Sequence, residues 1–154
     1  MALKAPAIAY RHSPGQDFRG ADLADTVLNL GVFVGANFND ANISGITAKF
    51  ASFAEATMLR VNASNASFIG ANFSRANLAG ADFSKAVLKL ASFRNSNLTG
   101  ANFDGADLSG TDFTGAVMAG ADFEGALNLN GAIFDKELRP VPRNSPVGRK
   151  SFCP

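Results

Sequence analysis

The residues of this chain that could do chemistry are mainly aspartates and asparagines, and they recur at a spacing of five residues or a multiple of five. Carboxylates could bind a metal ion or transfer protons. The same side chains also hydrogen-bond nearby backbone groups and stabilise turns. We expect this structural role, because so long a series cannot converge on one site. The series comprises Asp17, Asp22, Asn37, Asn42, Asn62, Asn72, Asn77, Asp82, Asn97, Asn102, Asp107, Asp112 and Asp122.

Other reactive side chains are scarce. His12 is the sole histidine and Cys153 the sole cysteine, and neither has a second ligand, base or nucleophile nearby in sequence. No phosphate-binding glycine loop, hydrolase elbow or paired zinc motif occurs in the sequence. We therefore expect no enzyme activity, no cofactor, no metal site and no small-molecule substrate.

Composition narrows the classes of function further. The 154 residues suit one domain, and a net charge of +1 disfavours nucleic-acid binding through counterion release. Apolar runs are too short to span a bilayer, so we expect a soluble protein without membrane insertion. The sequence has 14 Phe, one Tyr and no Trp, so its aromatic rings suit burial without a hydrogen-bonding partner.

A five-residue period runs from Gln16 to Phe134, with one inserted residue between Ala126 and Leu129. We call each five-residue unit a five and number its places from one to five. The first place is usually Ala, the second Asp or Asn, and the third Phe, Leu or Met, while the last two are small or polar. This period matches neither the about 3.6 residues of a helical turn nor the alternation of a strand, and it indicates a repeat array. Inward first and third places suit a short extended segment, and the last two places suit a turn.

The run of Ala, then Asp or Asn, then Phe or Leu, then two variable residues resembles the pentapeptide-repeat family. The resemblance implies an all-β fold, a right-handed quadrilateral β-helix with about six coils. It divides the chain into an irregular lead-in at 1–15, a β-helix at 16–134 and a basic C-terminal cap at 135–154. Some members of the family mimic DNA and bind type II topoisomerases, so a DNA-mimic regulator of such an enzyme is an alternative function.

Sorting the fives by every twentieth residue gives four inner columns and four outer faces. One column consists only of Phe, and we expect its rings to stack continuously. Its members are Phe33, Phe53, Phe73, Phe93, Phe113 and Phe134. Two fives, beginning at Ile46 and Val61, place the large residue first and the small one third, which conserves inward volume. Gly31 likewise offsets the large Phe33.

One outer face is acidic, because six carboxylates stand against a single lysine, Lys85. Single-sign surfaces attract partners of opposite charge, although a cluster of this size is also typical of a solvated face. The six residues of this acidic face are Asp22, Asp25, Asp82, Asp104, Asp122 and Glu124.

The next face carries apolar residues at outward places, where the repeat favours polar ones. Leu30, Phe50 and Leu90 occupy the same corner in different coils. A vertical apolar stripe indicates a surface that something covers. The chain's own lead-in is one candidate, and a second copy or another protein is the other. The stripe comprises Val27, Leu30, Phe50, Ile69, Val87 and Leu90.

The tail from Asp135 to Pro154 leaves the period and is basic. A solenoid needs its last coil covered, so we expect this segment to act as a cap. Residues 144–154 resemble the end of pentapeptide proteins of the thylakoid lumen, whose caps commonly close a disulfide. This chain departs from that pattern, since Cys153 has no partner cysteine. The resemblance suggests the thylakoid lumen, and the cytoplasm is the alternative.

Together these features predict a non-catalytic scaffold that binds a protein partner or associates with itself. Because the repeat encodes only the rod, any binding function must lie where outward places depart from the repeat.

Overall fold

A computed structural model describes residues 12–136, which form a parallel β-helix solenoid. Parallel β-bridges join residues 20 positions apart, from His12 with Val32 to Asp107 with Leu127. Each 20-residue segment therefore returns to its starting column, and we call such a segment a layer. Within the described range the pairing occurs as isolated bridges, and the one helix is a 3₁₀ helix at Leu129–Gly131.

Each five of the inner layers closes its backbone hydrogen bonds in the same way. The third-place N–H donates to the second-place carbonyl of the next layer, as Phe18 N does to Asn37 O at 2.7 Å, and the fifth-place N–H donates to the fourth-place carbonyl there. The second-place N–H donates back to the previous layer, as Asn37 N does to Gln16 O at 2.9 Å. The first-place N–H closes a turn within its own layer, as Ala21 N does to Phe18 O at 3.0 Å. The fourth-place N–H has no backbone acceptor in this pattern.

Third-place side chains fill the interior, and the all-Phe column forms the continuous stack expected from the sequence. Successive rings of this column have centroids 4.8–5.3 Å apart and interplanar angles of 5–15°. Rings from other columns contact the stack edge-on, as Phe83 does against Phe73 at 5.7 Å and Phe93 at 5.5 Å. Such pairs contribute about 0.5–1.5 kcal/mol each beyond the burial of their area. The sequence predicted the stack but not these edge contacts.

The two reversed fives fill the interior as expected. Ile46 and Ala48 are both fully buried, and so are Val61 and Ala63. The small residue at Gly31 is also required, because a Cβ there would collide with the third-place ring of the same five. Inward volume is therefore conserved locally, within each five.

Where a first place holds Thr or Ser instead of Ala, the side-chain hydroxyl forms a hydrogen bond inside the core. Thr26 Oγ1 donates to Leu23 O at 2.8 Å, and Ser96 Oγ donates to Phe93 O at 2.7 Å. A buried hydroxyl without a hydrogen-bond partner would cost free energy. These bonds therefore explain how Thr and Ser can replace the usual Ala at a first place. No buried polar side-chain atom in the described range lacks a partner.

The N-terminal boundary of the solenoid differs from the one expected. His12 already pairs with Val32, and Ser13 N donates to Val32 O at 2.8 Å. Residues 12–15 therefore belong to the first layer rather than to a lead-in at 1–15. The period is hidden there because Ser13 occupies a place that Phe or Leu usually fills. Residues 1–11 lie outside the described range.

One residue is inserted near the C-terminal end, as expected. Asp107 pairs with Leu127, 20 residues on, whereas Asp112 pairs with Ile133, 21 residues on. The 3₁₀ helix lies between these two bridges and absorbs the extra residue. The described range ends at residue 136, so the expected 135–154 cap, including its cysteine, lies almost entirely outside it.

Candidate interaction surfaces

The thirteen second-place aspartates and asparagines satisfy the fourth-place N–H groups. In every one of these fives the side-chain Oδ1 accepts a hydrogen bond from the N–H two residues later, as Asn72 does from Ser74 at 2.9 Å and Asp122 does from Glu124 at 2.8 Å. The side chain thus accepts a hydrogen bond from the fourth-place N–H, the one backbone donor of each five that has no backbone acceptor. The predicted structural role of the series is confirmed.

The acidic face follows the column that contains Asp22, Asp82 and Asp122. Bridges place three asparagines between these carboxylates, so no two of them are neighbours in the column. Asn42 Nδ2 donates to Asp22 Oδ1 at 3.1 Å, and Asn102 Nδ2 donates to Asp82 Oδ1 at 3.3 Å. Adjacent carboxylates would stand about 4.8 Å apart and repel. The alternation with amides lets the column carry charge without that repulsion.

The other acidic-face residues lie beside this column. Asp25 and Asp104 pack over glycines of the next layer, because a Cβ at Gly45 or Gly125 would collide with their carboxylates. Glu124 is exposed. None of the ion pairs within residues 12–136 involves an aspartate of this face. The structure thus places all six residues on one side of the solenoid.

Five of the six other carboxylates in residues 12–136 lie in ion pairs with Arg or Lys. Arg60 Nε lies 2.7 Å from Asp40 Oδ1, and this hydrogen bond holds the pKa of Asp40 below its usual value. For Asp107, partial burial alone would raise the pKa, but hydrogen bonds from Ser109 and Asn128 outweigh it and lower the pKa to about 2. Asp40 and Asp107 both lie in ion pairs, unlike the aspartates of the acidic face within residues 12–136.

Three residues form what we call the apolar corner: Leu30, Phe50 and Leu90. Their exposed fractions are 47%, 61% and 67%, and all three occupy the fifth place of one column. Their φ angles of 60°, 56° and 58° lie in the left-handed region. Such a conformation costs about 1–2 kcal/mol for a residue with a Cβ. Glycine occupies the fifth place of twelve other fives, and charged residues or Asn adopt the same conformation at eight more. Large apolar residues are therefore unfavourable here for two reasons: the left-handed backbone conformation and the exposure of apolar surface to water.

The rest of the stripe differs from this corner. Val27, Ile69 and Val87 are only partly exposed. Sequence reasoning missed Leu127 and Ile133, which are exposed and flank the same corner in the last layer. The available signal was an apolar residue at the second place, where Asp or Asn is usual. The exposed apolar surface thus follows the corner along most of the solenoid.

Glycines beneath the apolar corner let its side chains lie against the next layer. A Cβ at Gly70 would come within 2.5 Å of the Phe50 ring, and one at Gly110 would come within 2.8 Å of Leu90 Cδ2. Each of these large side chains is seated on a glycine. The corner is therefore a shaped ridge rather than a row of loose side chains.

Basic residues border the ridge. Lys49 and Lys89 immediately precede Phe50 and Leu90, and both are exposed. Lys89 Nζ lies 3.4 Å from Asp107 Oδ2. The apolar corner is therefore bordered by Lys49 and by the Lys89–Asp107 ion pair.

Two further expectations concern metals and membranes. No group of three or more His, Cys, Asp or Glu residues within 12–136 could hold a metal ion. In the same part of the chain, no helix has the length and apolar character needed to cross a bilayer. His12 is exposed, and its backbone pairs with Val32 as part of the bridge ladder.

These features define a β-helix repeat protein, in which one five-residue unit builds the core and only the outward places vary in chemistry. The model of pentapeptide repeats matches residues 17–49, 49–84 and 91–135, in eight copies. The chain belongs to the pentapeptide-repeat family, as its sequence pattern predicted.

Solved structures of this family resemble the chain and imply a right-handed β-helix solenoid. A pentapeptide repeat protein from the Arabidopsis thaliana thylakoid lumen is 32% identical, with a TM-score of 0.61 over 63% of this chain and 68% of that one. Rfr23 from the cyanobacterium Cyanothece 51142 is 16% identical, with a TM-score of 0.52 over 83% of this chain and 87% of that one. The second likeness concerns the fold alone. No curated protein matches the chain.

Proposed function

We propose that this chain is a non-catalytic scaffold whose apolar corner binds a protein partner. The observation that carries the proposal is the exposure of Leu30, Phe50 and Leu90 in a left-handed backbone conformation. Both features cost free energy in the isolated protein. Burial under a partner recovers about 25 cal/mol per Å² of apolar surface. The fold alone gives no reason for these residue types.

The partner surface that fits is apolar at its centre and acidic at its rim. Lys49, which is exposed and outside the ion pairs of residues 12–136, borders the ridge and favours a carboxylate opposite it. The regular spacing of layers, about 4.8 Å, makes the ridge a straight edge. Part of our proposal is that the solenoid is quadrilateral, because four bridge columns recur in each layer.

Affinity capture from a native extract tests the corner. We expect wild-type protein and a Val117→Ser control, altered at an exposed apolar residue away from the corner, to retain the same partner. The Phe50→Ser/Leu90→Ser variant should lose it. Sedimentation of the purified proteins shows whether the partner is a second copy. Recovery of the same proteins, at the same mass, by all three forms would contradict the proposal.

A DNA-mimic regulator of a type II topoisomerase is the second candidate, and the acidic face favours it. Residues 12–136 contain 8 basic and 12 acidic residues, a net charge of −4. This charge is small beside that of a DNA duplex, with one charge per about 1.7 Å. The supercoiling activity of a gyrase should therefore be unaffected by excess protein. Inhibition that Asp82→Asn/Asp122→Asn removes would favour the mimic over the scaffold.

We propose the thylakoid lumen as the compartment, with the cytoplasm as the alternative. The support is the 32% identical protein from the thylakoid lumen, together with the resemblance of residues 144–154. Immunodetection in fractionated thylakoids tests the assignment. Recovery with the cytosolic fraction instead would contradict it.

The basic tail is our proposed cap for the last layer. Met118 and Phe123 are buried, although no later layer within the described range covers them. Asp135 Oδ2 accepts a hydrogen bond from Gly115 N at 2.9 Å, where other layers use a fourth-place carbonyl. Truncation after residue 136 should therefore lower the melting temperature. An unchanged melting temperature would show that the tail does not stabilise the last layer, which would contradict the proposed cap.

A further inference from the structure

The face that carries the apolar stripe has a palindromic order along the first four layers. Its second-place column reads apolar, hydroxyl, hydroxyl, apolar, which is the same in both directions along the solenoid. The fifth-place column of this face likewise has Leu30 in the first layer and Leu90 in the fourth. The bridged second-place column consists of Val27, Thr47, Ser67 and Val87.

A palindromic surface can pair with a second copy of itself that runs in the opposite direction. Closed dimers use such contacts, in which one residue meets a second and the second meets the first. We consider a two-fold axis that lies in the interface, crosses the solenoid at right angles and falls between the second and third layers. The first layer then faces the fourth of the other copy, and each column meets itself. Val27 lies opposite Val87, and Leu30 lies opposite Leu90.

Phe50 stands at the centre of this contact. Its ring leans over Gly70 in the third layer, and therefore toward the two-fold axis. The reversed copy brings its own Phe50 ring to the same height, so the two rings meet across the axis. Because Gly70 has no side chain, the layer opposite Phe50 leaves room for them. A ring that is 61% exposed in the single chain thus gains an aromatic neighbour.

The other edge of the same face adds a match of charge. Asp25 and Lys85 occupy fifth places there, two residues before Val27 and Val87. Both are exposed, and neither belongs to an ion pair within residues 12–136. In the antiparallel pairing each Asp25 lies opposite Lys85 of the other copy, so the dimer contains this pair twice. Opposite charges across an interface fix its register.

Neighbouring registers bring less favourable pairs together. An axis through the second layer would place two copies of Lys49 opposite each other, and one through the third would place Lys49 opposite Lys89. An axis between the third and fourth layers would leave Asp25 opposite Gly125, without its charge pair. In the register between the second and third layers, Lys49 lies opposite Ile69. Its stem can lie along that side chain while its ammonium stays in water.

We infer that the partner of the apolar corner is a second copy of this chain, held antiparallel about a two-fold axis between the second and third layers. The inference rests on the proposed function, because it names the partner of that corner. Four layers at about 4.8 Å each give a contact about 19 Å long. So short a contact belongs to the class below about 1,200 Å² of total buried surface, and we expect a weak dimer that forms with rising concentration.

Sedimentation equilibrium of the purified full chain in low salt tests the dimer from about 10 μM to about 1 mM, the range of weak complexes. Asp25→Lys should weaken it at least about tenfold, because like charges then face each other twice. Lys85→Asp should have the same effect. An equimolar mixture of the two variants should restore wild-type association, since each charge then meets its opposite. Glu124→Lys makes the same change of charge in the sixth layer, outside the contact, and should leave association unchanged.

The backbone accepts both substitutions, because Asp and Lys already adopt the left-handed conformation at fifth places. A wild-type chain that stays monomeric across this range would overturn the dimer. So would a dimer that both charge reversals leave intact, or a mixture of the two that associates no better than either alone. If a monomeric chain captures a different protein and Phe50→Ser/Leu90→Ser loses it, the dimer is overturned and the proposed function stands. The two proposals therefore fail separately.

Discussion

Phe73 stands in the interior stack, whereas Phe50 stands on the apolar corner with most of its side chain in water. Phe73 is fully buried, and its ring is nearly parallel to those of Phe53 and Phe93. Phe50 has a left-handed φ of 56°, and its ring lies over a glycine. The repeat requires a large apolar residue where Phe73 stands, at the third place of a five. It gives no reason for one where Phe50 stands, at the fifth place. The difference separates residues that build the solenoid from those that we propose for binding.

The largest expected effect comes from the interior. Phe73→Ala should lower the free energy of unfolding by about 3–5 kcal/mol, because it leaves a cavity in a continuous stack of rings. Denaturant unfolding followed by circular dichroism measures the change. Phe50→Ala is the matched control and should change stability by less than about 1 kcal/mol, since it truncates an exposed side chain. Equal losses of unfolding free energy in Phe73→Ala and Phe50→Ala would contradict the distinction between a Phe of the interior stack and one of the apolar corner.

A smaller effect tests how the corner is seated. Gly70→Ala should destabilise the protein by more than the about 1–2 kcal/mol of a left-handed Ala, because its Cβ also meets the Phe50 ring. Gly35→Ala is the matched control, with φ +67° and no atom within 4 Å of the new Cβ. Thermal melts of both variants isolate the contact. In a Phe50→Gly background the two alanine variants should lose equal stability, and a persisting difference would contradict the packing.

Acid should weaken the protein through Asp107, an outward residue that the fold does use. Its pKa of about 2 is lower than that of an unfolded Asp, about 3.9, so its contribution is complete above that value. The contribution is lost as pH falls through about 2. Melting temperatures measured between about pH 5 and pH 2 should therefore fall less steeply for Asp107→Asn than for wild type. Parallel curves would show that its hydrogen bonds do not favour the charged form.

Most of the fold could be predicted from the sequence, because identical residues recur at fixed spacing. Six Phe separated by twenty residues, with one shift, define a column by their spacing alone. Ser13 hid the first five, since a small polar residue there breaks the apolar pattern. The acidic and apolar outer surfaces followed from the same sorting, as did the structural role of the second-place Asp and Asn.

Other features could not be predicted, because they depend on backbone conformation and on contacts between layers. Glycine at many fifth places hinted at a left-handed turn, but Leu30 and Phe50 gave no such signal. The seating of Phe50 on Gly70 joins residues in neighbouring layers, and no pattern along the chain indicates it. For the same reason the sequence treated Val27 and Phe50 as equal members of one stripe.

The free energy of unfolding of Phe50→Gly/Leu90→Gly tests the central claim most directly. Glycine relieves the left-handed backbone at both positions and removes apolar surface from water. Our proposal is that the apolar corner serves binding rather than folding, so we predict that the isolated double variant is at least as stable as the wild type. A loss of more than about 2 kcal/mol, comparable to that of truncating a buried side chain, would show that the corner belongs to the fold and would contradict the account.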